Sequence, residues 1–318
     1  MATAMIPPAH APDFLADAGW RGAAILPLAG DASFRRYFRV ATPDRTAVLM
    51  DAPPAHEDSR PFIAVAEHLH ARGFAAPRIL ARDLTQGLIL LEDFGDARMA
   101  EVIAAEPDRE LQVYRDAIDL LSALHAQDAG GLPPYDMAVY QREAGLFPEW
   151  YAPAAGIEVD TAGYAAAWDA ALAPIRDDRS VTVLRDYHAE NIMLLPDGSL
   201  GLLDFQDALA GHPAYDLVSL LQDARRDVPP ALEEAMLAHY GAIDPAAYAL
   251  LGAQRNAKIL GIFCRLWKRD GKPRYLAYQP RVWRYLERDL AHPALAPVRD
   301  WFDANVPPAK RAALWADA

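Results

Sequence analysis

Residues 181–195 read VTVLRDYHAENIMLL, and residues 201–207 read GLLDFQD. Each stretch contains a short apolar run, which predicts a strand, next to polar residues. The Pro-Asp-Gly sequence at 196–198 predicts a turn that folds the two strands, 181–184 and 200–205, together. The two stretches therefore predict a strand pair whose connecting segment carries acidic and amide side chains.

Three of these polar residues are spaced as phosphoryl transfer to an alcohol requires. That reaction needs a carboxylate to orient the hydroxyl and take its proton, and a metal ion to neutralise charge between the phosphates. Mg²⁺ takes hard oxygen ligands and usually only one or two carboxylates from the protein. Asp186 is therefore the predicted catalytic base, and Asn191 and Asp204 are the predicted Mg²⁺ ligands.

The combination of Asp186, Asn191 and Asp204 with the two strands is a more specific signal of a kinase site than any one of these features. The chain has three Asn residues, so an Asp followed five positions later by an Asn arises readily by chance. The alternative is an acidic hairpin in which Asp and Asn only form turns. The order of strand, Asp-loop-Asn, strand and Asp-Phe within a helix-rich segment favours the catalytic interpretation.

The first third of the chain and the remainder differ in predicted secondary structure. Periodicity predicts a strand-rich first third with a helix at 60–72, and helices dominate after Gly95. We therefore expect an α+β, two-lobed fold with a small antiparallel-sheet N-lobe and a mostly helical C-lobe. The predicted domains are residues 1–94, which bind the nucleotide, and residues 95–318, which carry the catalytic hairpin and the substrate site.

The composition excludes several classes of protein. The 318 residues are 53% hydrophobic and carry a net charge of −13, which disfavours nucleic acid and anionic membrane as partners. Cys264 is the only cysteine, so there can be no internal disulfide. No secretion signal or membrane-spanning run is apparent, and we expect a cytoplasmic protein that is a monomer.

The segment 181–207 resembles the catalytic and metal-binding loops of the aminoglycoside phosphotransferase and choline kinase group, which has a protein-kinase-like fold. The sequence GDASFRRYFRV at 30–40 resembles the nucleotide loop of that group. Three further segments are similar to the bacterial anomeric amino-sugar kinases of cell-wall recycling: LMDAPP at 49–54, DFQDA at 204–208, and KILGIF at 258–263 with the following Arg265-Leu266.

The resemblance implies a transferase that uses ATP and Mg²⁺ on a small-molecule sugar. The reaction would phosphorylate the anomeric hydroxyl of N-acetylmuramate or N-acetylglucosamine to the sugar 1-phosphate, in peptidoglycan recycling. The nucleotide contacts that it implies are Gly30, Ser33 and Arg35 in the phosphate loop, with Glu92 and Phe94 in the connector that meets adenine. It also implies that Asp216 caps a helix beneath the catalytic loop.

Four other residues are candidate acceptor contacts. His188 lies two residues after Asp186, and Asp207 lies three after Asp204. Arg265 and Lys268 belong to a basic segment at 255–288, whose ten cations, interleaved with two Trp and three Tyr residues, also suggest an RNA-binding stripe. The plainest interpretation of this segment is a helical surface paired to acids elsewhere.

Two positions depart from the family pattern. Leu184 stands where a loop-bracing His is usual, and Met50 stands where the third strand usually carries a phosphate-binding Lys. Arg35 or Arg36 is predicted to supply the missing cation, with Glu67 as the helix Glu. Because of these two departures, a pseudokinase that only binds its ligands remains an alternative. A kinase of the same fold that acts on an aminoglycoside, choline or homoserine is another.

Overall fold

The computed structural model describes residues 5–28 and 34–316, and the chain divides into two compact units. The first unit comprises residues 1–99 and 191–207, and the second comprises residues 100–190 and 208–318. The predicted domain boundary at residue 94 stays a prediction, because units defined by contacts need not coincide with functional domains. No helix among the described residues is long and apolar enough to cross a membrane.

The first unit is built on a five-stranded antiparallel sheet with the strand order β1-β2-β3-β5-β4. Strand β5, which lies between β3 and β4, is a continuous apolar run that is buried along Leu88 to Leu91, as strands covered on both faces are. The strands are β1 Ala24–Pro27, β2 Arg36–Ala41, β3 Thr46–Asp51, β4 Ile79–Asp83 and β5 Leu88–Glu92, and the helices are α1 Ala11–Asp17 and α2 Arg60–Ala71.

Side-chain alternation gives the two faces of this sheet different chemistry. Phe38 and Val40 of β2 are fully buried in a cluster with Leu15 of α1 and Trp20. Tyr37 and Arg39 therefore lie on the opposite face of β2. The face that carries Phe38 and Val40 is an apolar core, and the opposite face carries Tyr37 and Arg39 beside the buried Met50 and Ile89.

A second hairpin belongs to this unit. Its strands are β7, Ile192–Leu194, and β8, Leu200–Leu202, and they are joined by the predicted turn. The backbone N–H of Leu202 donates to the carbonyl of Ala75 at 2.8 Å, which fastens the hairpin to the unit. The turn prediction is confirmed, but the predicted pairing of 181–184 with 200–205 is wrong, because the partner of β8 is β7.

The second unit is mostly helical. Strand β6, Val181–Val183, pairs with β9, Leu209–Gly211, and the 24-residue helix α10 is buried along most of its length. The helices after α2 are α3 Met99–Ala105, which begins at the division between the units, α4 Glu110–His125, α5 Met137–Ala144, α6 Ala152–Ala155, α7 Thr161–Leu172, α8 Ala214–Leu221, α9 Pro230–Tyr240, α10 Pro245–Lys268, α11 Gln279–Leu290 and α12 Ala296–Asn305.

The predicted fold class is confirmed. An antiparallel sheet with a packed helix precedes a helix-rich remainder, as the change in texture after Gly95 predicted. Helix α4 has the predicted bounds because its apolar stripe and its ends are both local features of the sequence.

Candidate active site

The side-chain carboxyl group of Asp216 holds the loop that carries Asp186. Asp216 accepts hydrogen bonds from the backbone N–H groups of Leu184, at 2.6 Å, and Arg185, at 2.8 Å. Ser219, on the same helix α8, donates from its hydroxyl to the carbonyl of Arg185 at 3.3 Å. These contacts fix the two residues that precede Asp186.

The backbone of this loop is strained at Arg185. Arg185 has a φ of +73°, a left-handed conformation that is uncommon for residues other than glycine. Such conformations persist only where the surroundings enforce them, and they concentrate at functional sites. The contacts from α8 supply that enforcement directly before the predicted base.

The predicted role of Asp216 as a helix cap is wrong in detail. Helix α8 begins at Ala214 with Pro213 at its N-cap, so Asp216 lies inside the first turn. Its side chain satisfies the backbone of the loop rather than that of its own helix. Burial raises the pKa of Asp216 to about 7, although the two backbone donors and the charge of Arg255 act in the opposite direction.

A buried charge cluster replaces the usual histidine brace. Glu143 of α5 forms an ion pair with Arg185 and a second one with Lys258 of α10, at 3.0 Å. Tyr135 donates its hydroxyl hydrogen to Glu143, and Lys258 donates to the hydroxyl of Tyr215 at 3.2 Å. The missing histidine at Leu184 is thus offset by a carboxylate that lies 42 residues before Arg185.

The charges near Asp186 determine whether its carboxyl group is ionised. Burial raises the pKa of Asp186, but the positive charges of Lys258, Arg255 and Arg185 outweigh burial and the pKa is lowered. The carboxylate is therefore ionised at neutral pH. Only the ionised form can accept a proton from a hydroxyl group.

His188 is buried beside the predicted base and contacts an arginine that the sequence did not reveal. Its Nε2 lies 3.1 Å from Nη1 of Arg225, and Nε of Arg225 lies 3.3 Å from Glu190. Burial, with the added effect of Arg225, lowers the pKa of His188 to about 4. The imidazole is therefore neutral at pH 7, and its Nε2 accepts the hydrogen bond from the guanidinium. The predicted acceptor contact of His188 stays a prediction.

The two predicted metal ligands meet at the open end of the β7–β8 hairpin. The backbone N–H of Leu203 donates to the carbonyl of Asn191 at 2.9 Å, which places Asp204 directly after a residue paired with Asn191. Asp204 has a φ of +56°, a second left-handed position at a functional residue, and it accepts a hydrogen bond from Gln206 at 2.9 Å. One amide and one carboxylate are hard oxygen donors that fit Mg²⁺.

The two candidate phosphate cations have different surroundings. Arg36 lies directly across from Asp51 in the β2–β3 register and forms an ion pair with it, and it also donates to the carbonyl of Ile6 at 3.1 Å. Arg35 pairs with Glu57 at 3.3 Å. Burial lowers the pKa of Arg35, but Tyr37, Glu57 and Asp204 together raise it, so the guanidinium lies within range of the charge of Asp204.

This environment separates the two candidates. Arg35 interacts electrostatically with Asp204, the predicted metal ligand, whereas Arg36 forms its ion pair within the sheet. Glu67 is exposed on α2, and Arg35 forms an ion pair with Glu57, so the role of Glu67 as the acidic partner stays a prediction. Met50 is fully buried opposite Tyr37, so no cation stands at the usual lysine position.

The connector after β5 is tied to the sheet. Arg39 binds the carboxylates of Asp93 and Asp96 at 2.9 and 2.8 Å. The N–H of Glu92 donates to the carbonyl of Arg78 at 2.8 Å, and a Cβ placed on Gly201 would lie 2.6 Å from the ring of Phe94. Glu92 and Phe94 remain predicted nucleotide contacts, and Gly30 and Ser33 lie outside the described residues.

The basic segment is largely engaged in ion pairs. Arg281 and Arg284 bind Asp227, Arg288 binds Glu233, Arg269 binds Asp270, and Lys258 binds Glu143. Lys268 covers the ring of Trp267 at 3.5 Å. Helical rise places Arg265 and Lys268 about 10 and 15 Å beyond Lys258 along α10. Their predicted substrate contacts, and that of the exposed Asp207, stay predictions.

Comparison with known proteins shows which protein family the chain matches. A family model described as "Phosphotransferase enzyme family" matches residues 24–251. The chain belongs to this family. The N-acetylmuramate/N-acetylglucosamine kinase of Caulobacter vibrioides is 41% identical, and the alignment covers 88% of this chain and 91% of that protein. The enzyme of the same name from Pseudomonas aeruginosa is also 41% identical, with 90% of each protein covered.

Solved structures of other kinases and phosphotransferases share the fold at low identity. A spectinomycin phosphotransferase in complex with ADP and spectinomycin superposes with a TM-score of 0.64 at 13% identity, covering 98% of both chains. Choline kinase from Streptococcus pneumoniae gives a TM-score of 0.60 at 15% identity, covering 86% of this chain and 93% of that chain. These likenesses confirm the predicted protein-kinase-like fold.

Proposed function

We propose that this phosphotransferase uses ATP to phosphorylate the anomeric hydroxyl of N-acetylmuramate and N-acetylglucosamine. The observation that carries the proposal is that four curated relatives, 35–41% identical over at least 82% of this chain, are all named N-acetylmuramate/N-acetylglucosamine kinase. The ionised Asp186 supplies the group that such a reaction needs. A cytoplasmic monomer acting in peptidoglycan recycling completes the proposal.

Asp186 acts on the acceptor. Its carboxylate accepts a hydrogen bond from the sugar hydroxyl, orients the oxygen toward the γ-phosphorus, and takes the proton as the new O–P bond forms. The contacts of Asp216, Arg185 and Glu143 hold the loop in place before the substrate binds. Such preorganisation lowers the barrier because no reorganisation is needed at the moment of transfer.

Asn191 and Asp204 are the residues that would hold Mg²⁺, and the Gly30–Ser33 loop would cover the phosphates. The bound ion supplies neutralisation of the phosphate charge. Arg35 supplies a further positive charge on the phosphate side, in place of the lysine that is absent at Met50. Its pairing with Glu57 keeps the guanidinium oriented near Asp204.

The charges near Asp186 favour an acidic or neutral sugar over a cationic acceptor. Arg225 is close enough to Asp186 and Tyr275 to interact with both, and Arg274 lies over the Tyr275 ring at 5.2 Å. Arginine and half-buried aromatic side chains such as Tyr275 suit a sugar that carries a carboxylate. Choline and aminoglycosides, which are cations, would be better served by carboxylates in these positions.

The test is ADP release from ATP with N-acetylmuramate, N-acetylglucosamine, choline and an aminoglycoside as separate acceptors. Turnover with the two amino sugars is expected, and phosphorus NMR of the product should show a sugar 1-phosphate. Turnover only with choline or the aminoglycoside would replace the proposed acceptor. Absence of turnover with every acceptor would favour the binding-only protein.

A further inference from the structure

We propose that the ion pair between Arg225 and Glu190 determines how the enzyme divides its activity between an acidic and a neutral amino sugar. The inference rests on the proposed function and adds a specificity-determining pair to it. In this pair, Arg225 binds the carboxylate of the acidic sugar, and Glu190 competes with that carboxylate.

Both residues are anchored to the loop that carries Asp186. Glu190 lies four residues after Asp186, and His188, between them, accepts a hydrogen bond from Nη1 of Arg225 at 3.1 Å. The charge of Asp186 is one of those that raise the pKa of Arg225, after the opposing effect of burial and behind Asp223 and Glu190. The guanidinium is therefore held at short range from the group that activates the acceptor hydroxyl.

Arg225 keeps donor capacity for a ligand. The guanidinium uses Nη1 for His188 and Nε for Glu190, and within residues 5–28 and 34–316 no hydrogen bond is formed by its Nη2. The side chain is 29% exposed, so an incoming group can reach part of it. A guanidinium binds a carboxylate through two parallel N–H···O bonds, and it does so more strongly than a neutral donor pair.

Glu190 explains how one site can serve both sugars. A neutral sugar that covers Arg225 would leave a desolvated cation, which is costly unless an acid stays beside it. Glu190 is such an acid, and its side chain is 47% exposed. With an acidic sugar the same carboxylate repels the ligand. Glu190 therefore supports the neutral substrate and penalises the acidic one.

Other cations are less suited to this role. Arg255 is only 3% exposed and its Nη1 is buried without a hydrogen-bond partner, so a substrate carboxylate cannot reach it without movement of the helix. Lys258 is committed to Glu143 and Tyr215. Arg265 and Lys268 lie about two and three turns farther along α10 than Lys258.

The test compares kcat/KM for N-acetylmuramate and N-acetylglucosamine in the full-length enzyme and in the variants Arg225→Gln and Glu190→Gln. For Arg225→Gln we expect a loss of about 10- to 100-fold with N-acetylmuramate, the scale of a lost charge-assisted contact, and a loss of less than about threefold with N-acetylglucosamine. For Glu190→Gln we expect a gain of about threefold with N-acetylmuramate and a loss with N-acetylglucosamine.

The matched control is Arg226→Gln, which removes the neighbouring arginine and its ion pair with Glu110. This variant should leave the ratio between the two sugars unchanged. Retained turnover of N-acetylglucosamine by Arg225→Gln shows that the variant is folded. Equal losses with both sugars in Arg225→Gln, or an unchanged ratio in Glu190→Gln, would overturn the inference. Absence of turnover by the wild-type enzyme with either sugar would overturn the proposed function itself.

Discussion

The β7–β8 hairpin of the first unit and the Asp186 loop of the second unit both carry carboxylates with a predicted catalytic role, but they are built differently. Asp204 lies at the open end of a short hairpin that is positioned mainly by backbone hydrogen bonds. Asp186 lies above a buried set of charged side chains that includes Glu143 and Lys258. A metal ligand must leave room for the ion, whereas a base must have its charge state set before the substrate arrives.

The largest expected effect comes from Asp186 itself. We expect Asp186→Asn to lower kcat by about 1,000-fold, because the amide can still hydrogen-bond the sugar but cannot take its proton. The affinity for ATP should change little, which equilibrium binding can measure alongside ADP release. Turnover within tenfold of the wild type would contradict the assignment of Asp186 as the base.

The buried cluster makes the next largest prediction, and it concerns stability. Glu143→Gln leaves Arg185 and Lys258 buried without their shared carboxylate, and we expect the free energy of unfolding to fall by about 3–5 kcal/mol. Tyr135→Phe is the matched control, since it removes one hydrogen bond to the same carboxylate and should cost about 1 kcal/mol. Denaturant unfolding measures both.

A compensating variant separates lost charge balance from lost packing. Adding Lys258→Met to Glu143→Gln removes one cation together with the anion, and we expect part of the lost stability to return. A double variant less stable than Glu143→Gln would show that Lys258 stabilises the fold by contacts other than this ion pair. Equal stability of Glu143→Gln and Tyr135→Phe would contradict the importance of the cluster.

The same carboxylate predicts a pH dependence. Burial would raise the pKa of Glu143, but Lys258 and Arg185 outweigh it and hold the pKa at about 2. Because the folded value lies below the unfolded one, the ionised group stabilises the fold at neutral pH. That stabilisation is lost as the pH falls through about 2. Acid unfolding of wild type and Glu143→Gln should therefore converge at low pH.

The hairpin gives a smaller expected effect on activity. We expect Asp204→Asn to lower kcat by about 100-fold and to raise the concentration of Mg²⁺ needed for half-maximal rate, because an amide is a weaker ligand than a carboxylate. Asp197→Asn is the control on the same hairpin, where the exposed Asp197 accepts hydrogen bonds from the backbone and hydroxyl of Ser199. An unchanged Mg²⁺ requirement in Asp204→Asn would contradict the ligand assignment.

The contrast between the regions also explains what the sequence could predict. Asp186, Asn191 and Asp204 could be predicted because their spacing along the chain reflects one local loop and one hairpin. The helices and strands of the first third were found because their periodicity is local as well. These features are fixed by neighbours in the sequence.

The contacts that tune the site could not be predicted in this way. Glu143 and Arg225 come from 42 residues before Arg185 and 37 residues after His188, and neither stands in a recognisable pattern. Asp216 was found, but its true role required knowing that α8 begins two residues earlier. The choice between Arg35 and Arg36 depended on which neighbours surround each side chain.

That choice gives the smallest expected effect and the sharpest comparison between adjacent residues. We expect Arg35→Gln to lower kcat/KM for ATP by about tenfold, since it removes a cation near Asp204 and the phosphates. Arg36→Gln should leave ATP kinetics nearly unchanged, because its partner Asp51 lies across the strand pair, and it should instead lower thermal stability slightly. The reverse pattern would assign the phosphate contact to Arg36, and equal small effects would mean that neither arginine compensates for the lysine missing at Met50.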